Sequence, residues 1–210
     1  MTGIDDLLAE SNDRWSRAMR NARGVEDIGL GPAVKTYYTR YFPVGVLVLT
    51  AAGAAAALLG FTDPLDDWGL ALSVGLLLAA VGAVVGGLVY NAKKVAPAAQ
   101  LNKTEVLIPL DSGERQQIQR QIMGKAAIVQ ERLCVARAGA VQMRKSLATQ
   151  LLLTPAYLLV FASQTLNWVM RGDPFGWVMA VVLVGFMVAI AQLIREFRRT
   201  GRFLAGTSED

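Results

Sequence analysis

The chain has 210 residues, a mean hydropathy of +0.37 and a formal net charge of +4. Its 21 basic and 17 acidic residues are absent from four stretches, 41–62, 68–92, 146–170 and 174–194, which together cover 93 positions. A soluble domain spreads its charges along amphipathic elements, so four charge-free blocks of bilayer length exclude a water-soluble globular protein.

Residues 1–40 form a cytoplasmic N-terminal segment, an amphipathic helix followed by a hinge. Thr2 is placed to cap it, with Asp5 at the third helical position. Ile4, Leu7, Leu8, Trp15, Ala18, Met19 and Ala22 recur at helical spacing, with acids in the first half and arginines in the second. Such a helix can lie on an anionic membrane surface, dock on a partner, or dock on the middle of its own chain. The glycines and proline of 24–32 mark the hinge. The segment lacks the basic start and short apolar run of a cleavable signal peptide.

Residues 41–92 read as transmembrane hairpin 1 and residues 146–194 as transmembrane hairpin 2. Each apolar block spans the ~30 Å of bilayer hydrocarbon at ~1.5 Å per helical residue. Short polar connections containing Asp63-Pro64 and Asp173-Pro174 close the hairpins. Twenty of the 21 Lys and Arg lie outside these connections, which hold only Arg171. The positive-inside rule then places both termini and the middle segment in the cytoplasm. The basic excess is explained by topology, and no nucleic-acid partner is inferred. The two units have the same orientation, unlike the inverted repeats of transporters.

The spans carry no ionisable residue near their centres, which argues against proton-coupled pumps, voltage sensors and ion-coupled carriers. Small residues recur at four-residue spacing: Ala52, Ala56 and Gly60 in block one, then Gly75 and Ala79, and Gly82 with Gly86, in block two. These are the expected helix-packing positions, read first as packing between blocks one and two and second as a homodimer or subunit contact. Pro155 in block three is expected to kink its helix or open a carbonyl that Thr154 satisfies.

Residues 93–145 are a cytoplasmic segment with a long amphipathic helix capped at Asp111 or Ser112. Ile118, Ile122, Val129, Leu133, Ala136, Ala140 and Met143 follow mostly alternating four- and three-residue steps, which predicts a coiled-coil-like seam. The pattern runs into block three, so one helix is expected to extend ~50 Å from the membrane. A stripe that long outruns the N-terminal helix, so these seven residues are read as a partner-contact surface in preference to internal packing. Residues 195–210 form a cytoplasmic tail.

Positive evidence for catalysis is missing. The chain has no His, the commonest general base and transition-metal ligand. Its single Cys134 permits neither an intrachain disulfide nor a thiolate cluster. Ala71-Leu72-Ser73-Val74-Gly75 has no base for a nucleophile, and Gly124-Lys125 has no glycine loop before it. No catalytic, cofactor-binding or metal-binding residue is assigned.

The runs Leu110-Asp111-Ser112-Gly113-Glu114-Arg115, Gln121-Ile122-Met123-Gly124-Lys125, Glu131-Arg132-Leu133 and Ala136-Arg137-Ala138, with the tail Arg202-Phe203-Leu204-Ala205, resemble uncharacterised small four-span membrane proteins of actinobacteria. The resemblance covers roughly residues 90–206. It implies a cytoplasmic-membrane location and carries over no activity and no functional residue.

The sequence thus leads to an all-α, polytopic membrane protein with four transmembrane helices as two hairpins and cytoplasmic amphipathic helices. Its expected role is that of a non-catalytic accessory, assembly or regulatory subunit. Its expected partners are the lipid bilayer and another membrane or cytoplasmic protein, or further copies of itself. The alternative is a small oligomeric channel or carrier for an uncharged or weakly polar solute, lined by Thr50, Ser73, Thr154 and Gln164. A lipid-modifying enzyme fits less well.

Overall fold

The computed structural model of the chain describes residues 2–60, 68–101 and 105–207, with the backbone alone at 2–5 and 7–8. The expected Thr2 cap and the Asp63-Pro64 turn therefore lie outside the described side chains. The fold is all-α apart from one pair of two-residue strands. Four helical stretches, Leu30–Gly60, Trp68–Ala98, Gln130–Met170 and Phe175–Gly206, are long and apolar enough to cross a bilayer, and the protein is a multi-pass membrane protein.

The chain divides into two compact units. A charged unit comprises Met1–Leu30, Ala96–Leu147 and Glu196–Asp210; an apolar unit comprises Gly31–Val95 and Ala148–Arg195. Residues 31–40, expected with the N-terminal segment, fold with the apolar unit. Their helix runs directly into the first span, and Tyr37 is buried there.

In the charged unit, α1 (Thr2–Ala22) ends where Gly24 takes φ +76°, a conformation glycine adopts without a Cβ clash. Strand β1 (Glu26–Asp27) then pairs antiparallel with β2 (Ala99–Gln100), Glu26 opposite Gln100 and Asp27 opposite Ala99. Asp27 Oδ1 accepts the backbone N–H groups of Gly29 and Leu30 and so opens α2 (Leu30–Thr36). A three-residue turn of helix, α5 (Ala96–Ala98), precedes β2.

The single helix expected from 111 into the membrane is two helices. Asp111 and Glu114 form a reciprocal capping box that starts α6 (Ser112–Ile122). The helix stops at Gly124, φ +64°. There Lys125 N–H donates to Arg120 C=O at 2.7 Å and Gly124 N–H donates to Gln121 C=O at 2.9 Å. This is the double bond of a Schellman termination. After a non-helical stretch and a 3₁₀ turn, Gln130–Arg132, helix α7 (Leu133–Met170) begins.

Across this break the apolar stripe still faces inward. Ile118, Ile122, Ala136 and Ala140 are buried in one cluster with Trp15, Ala18 and Ala22 of α1 and with Val106 and Leu110. The amphipathic faces of α1 and of the middle segment cover one another.

In the apolar unit, α2 continues through a π turn (Tyr37–Tyr41) into α3 (Phe42–Gly60). Helix α4 (Trp68–Tyr90) packs along α3 and ends in a second π turn (Asn91–Val95). Residues 148–170 of α7 and 175–195 of α8 (Phe175–Gly206) complete the unit.

The turn between α7 and α8 has two sharp signals in succession. Gly172, φ +67°, closes α7 with the Schellman pair Asp173 N–H to Trp168 C=O and Gly172 N–H to Val169 C=O. Asp173 Oδ1 then accepts the Phe175 N–H at 2.8 Å, and Pro174 occupies the first helical position. This is the tight hairpin expected from Asp173-Pro174.

Candidate functional site

Gly75 and Ala79 lie on the buried face of α4 as expected, whereas the other expected packing positions are largely displaced by one helical step. Ala52, Ala56, Gly60 and Gly86 are exposed, and a Cβ on Gly60 or Gly86 would meet nothing. The buried faces are Gly53 and Ala57 on α3, and Ala71, Gly75, Ala79, Ala83 and Gly87 on α4. A Cβ on Gly53 would come within 2.8 Å of Gly75 Cα, and one on Gly75 would collide with the Thr50 carbonyl oxygen. Backbones this close need glycine. Of the Gly82 and Gly86 pair only Gly82 meets α3, against Leu49. Several small-residue rows run side by side along α3 and α4, and spacing alone does not select among them. Gly82 and Gly86 instead help line a cavity of about 230 Å³ with Tyr37, Tyr41, Phe42 and Gly45.

Polar side chains in the apolar unit hold helices together. Ser73 and Ser163 face each other, Oγ to Oγ at 2.8 Å, and Ser163 Oγ also donates to the Ser73 carbonyl at 2.9 Å. Both serines are buried, Ser163 completely. Thr149 Oγ1 donates to Asn91 Oδ1 at 3.1 Å. Pro155 has no N–H for the Leu151 carbonyl four residues earlier, and the Tyr38 hydroxyl donates to that carbonyl instead. Thr154, expected in this role, donates to the Gln150 carbonyl of its own helix at 2.6 Å. Thus the residues proposed to line a path part company. Ser73 closes on Ser163 and Thr154 on its own backbone, while Thr50 Oγ1 is buried without a partner. Ser163 and Tyr38 escaped the sequence reading. The signal for Tyr38 was the orphaned carbonyl that Pro155 implies, but the donor lies 113 positions away.

The expected partner-contact residues are taken up by the chain itself. Ile118, Ile122, Ala136 and Ala140 are buried in the charged unit, Met143 packs against the same cluster, and Val129 and Leu133 are half-buried. Their spacing points to a partner surface only if one long helix carries them all. Once Gly124 ends α6, the stripe is short enough for α1 to cover. Glu114 fixes this docking. Its Oε1 accepts the Trp15 indole N–H at 2.9 Å while its Oε2 accepts the Asp111 N–H, and the Arg132 guanidinium lies 4.1 Å over the Trp15 ring.

The charged unit also contains a cavity of about 730 Å³. Its wall combines the bend after α1 (Arg23 to Asp27), one face of α7 (Leu133, Cys134, Arg137, Val141, Arg144) and a patch of α8 (Gly201, Leu204, Ala205). Arg144 is held on two sides. Its guanidinium pairs with Asp27 Oδ2 and lies 4.8 Å over the Phe197 ring. The backbone of α8 leaves room for it at Gly201, where a Cβ would stand 2.8 Å from Nη2. Arg144 Nε is buried without a hydrogen-bond partner. Cys134 is exposed at this wall. No local signal marks the Asp27–Arg144 pair, which joins positions 117 apart. Compared with protein-family models, curated proteins and solved structures, the chain matches none.

Proposed function

We propose that this protein is a non-catalytic integral protein of the cytoplasmic membrane that serves a larger membrane complex as an accessory, assembly or regulatory subunit. Both termini and the charged unit lie in the cytoplasm in this reading, as the basic residues outside the hairpin turns require. The observation that carries it is the state of α8: from residue 177 to residue 196 no side chain is buried among the described residues. Trp177, Val178, Val181, Val184, Met187 and Val188 are all exposed apolar side chains. A span with so little internal packing offers a continuous surface to a partner helix as well as to lipid. Two polar contacts of the unit support the same reading: Ser73–Ser163 and Tyr38–Leu151 join helices, so these groups serve packing.

The test is purification of the full chain in mild detergent, with a photo-cross-linking residue at Val181 or Val184. A second polypeptide cross-linked from these positions and co-purifying in fixed ratio is the expected result. A homogeneous homo-oligomer that passes solute in liposomes would replace this reading with the channel or carrier. Terminal tags are expected to be protease-protected in intact cells and cleaved after permeabilisation.

A further inference from the structure

We propose that the cavity of the charged unit is a binding site for a small amphiphile with a phosphate head. The site stands whether or not the chain serves a larger complex, because every residue of its wall belongs to one unit of this chain.

Three features of the wall specify the ligand. The first is charge. Arg23, Arg137 and Arg144 line the cavity together with only two carboxylates, Glu26 and Asp27. Both oxygens of Asp27 are already engaged, Oδ1 by the Gly29 and Leu30 N–H groups and Oδ2 by Arg144. Arg137 is exposed and has no ion-pair partner among the described residues. The cavity therefore favours an anion.

The second is an oriented donor. Arg144 is fixed by Asp27 on one side and by Phe197 on another, so its guanidinium has little freedom. Its side chain nevertheless keeps 17% of its surface exposed and lines the cavity. Guanidinium groups present paired N–H donors in a planar fork, and a phosphate offers three acceptor oxygens to such forks. Arg137 and Arg144 stand seven residues apart on α7, two turns along one face, and both line the wall.

The third is volume and apolar lining. About 730 Å³ is far more than an inorganic ion fills and lies within the ordinary range of small-molecule sites. Leu133, Val141 and Leu204 supply apolar surface beside the arginines. The matching ligand carries a phosphate at one end and an apolar body at the other. A phosphate-headed membrane lipid and a soluble organic phosphomonoester both have this chemistry.

The only cysteine of the chain lies in the wall and is exposed, so its alkylation reports occupancy at a single site. The full chain is held in phosphate-free alkyl maltoside micelles, and the rate at which a neutral maleimide modifies Cys134 is measured. Phenyl phosphate is titrated in one arm; phosphatidic acid is added to the micelles in the other. Saturable protection by phenyl phosphate identifies a soluble ester site, protection by phosphatidic acid alone identifies a lipid-head site, and either result supports the proposal. Arg137→Gln, at an exposed position, is expected to weaken protection about tenfold or more. Arg144→Lys keeps a charge for Asp27 but removes the planar guanidinium fork, and is expected to weaken protection while the thermal midpoint stays close to that of the parent. Protection by neither probe, equal protection by benzyl alcohol, or protection unchanged in both variants would overturn the proposal.

Discussion

The core of the charged unit and the α3–α4 contact bury different kinds of residue. In the charged unit Val106, Leu110, Ile118, Ile122 and Val135 are enclosed beside Ala18, Ala136 and Ala140, and in the apolar unit the large enclosed side chains, Val95, Leu151 and Leu152, lie outside α3 and α4. In the apolar unit the buried faces of α3 and α4 are Gly53, Ala57, Ala71, Gly75, Ala79 and Ala83, while Leu47, Leu59, Val81 and Val85 point outward. The difference follows from the solvent. Water drives large apolar groups inside, at about 25 cal/mol per Å² removed. Lipid is indifferent to them, so helices meet where small side chains let backbones approach and where a hydroxyl finds a partner.

The comparison breaks most easily at the large buried residues. Ile122→Ala is expected to destabilise the charged unit by about 2–5 kcal/mol through the cavity it leaves. Leu59→Ala, at a position 90% exposed in the apolar unit, is expected to change stability by less than about 0.5 kcal/mol. Denaturant titration followed by Trp fluorescence reads the first, and thermal unfolding in nanodiscs reads both. Equal effects would contradict this difference.

Adding volume is the complementary experiment. Gly75→Ala places a methyl against the Thr50 carbonyl oxygen and is expected to cost about 1–3 kcal/mol, whereas Gly86→Ala meets open space and is expected to be neutral. Thermal unfolding of the two variants side by side separates the true packing face from the Gly82/Gly86 row.

Smaller effects are expected at the polar contacts. Glu114→Ala removes the Asp111 cap partner and the acceptor of the Trp15 indole, for an expected loss of about 1–2 kcal/mol. Proteolysis within α1 should become faster in this variant. Tyr38→Phe deprives the Leu151 carbonyl of its donor, at an expected cost of about 1 kcal/mol. With Pro155→Ala the backbone N–H of residue 155 replaces that donor, so Tyr38→Phe should then cost much less. A double-mutant cycle with no coupling would reject this account.

Much of the architecture was legible from the sequence because it rests on composition. Four charge-free blocks, the Asp173-Pro174 turn and the helical spacing of Trp15, Ala18 and Ala22 are local signals. The end of α6 was also local, since Gly124 is a left-handed glycine of ordinary type, but the heptad-like stripe on either side outweighed it. The packing register, the seam's inward destination and Tyr38's role were not legible, because each depends on which distant residue stands opposite.

The sequence by itself determined that helices cross the membrane four times, because the transfer of charge-free segments into hydrocarbon is a sum over single residues. Only the tertiary structure decided which small-residue row forms the α3–α4 contact, that α1 covers the stripe of the middle segment, and that Asp27 meets Arg144 beside the cavity. These are pairings between remote positions. Their energies exist only once the chain has brought the partners within contact distance.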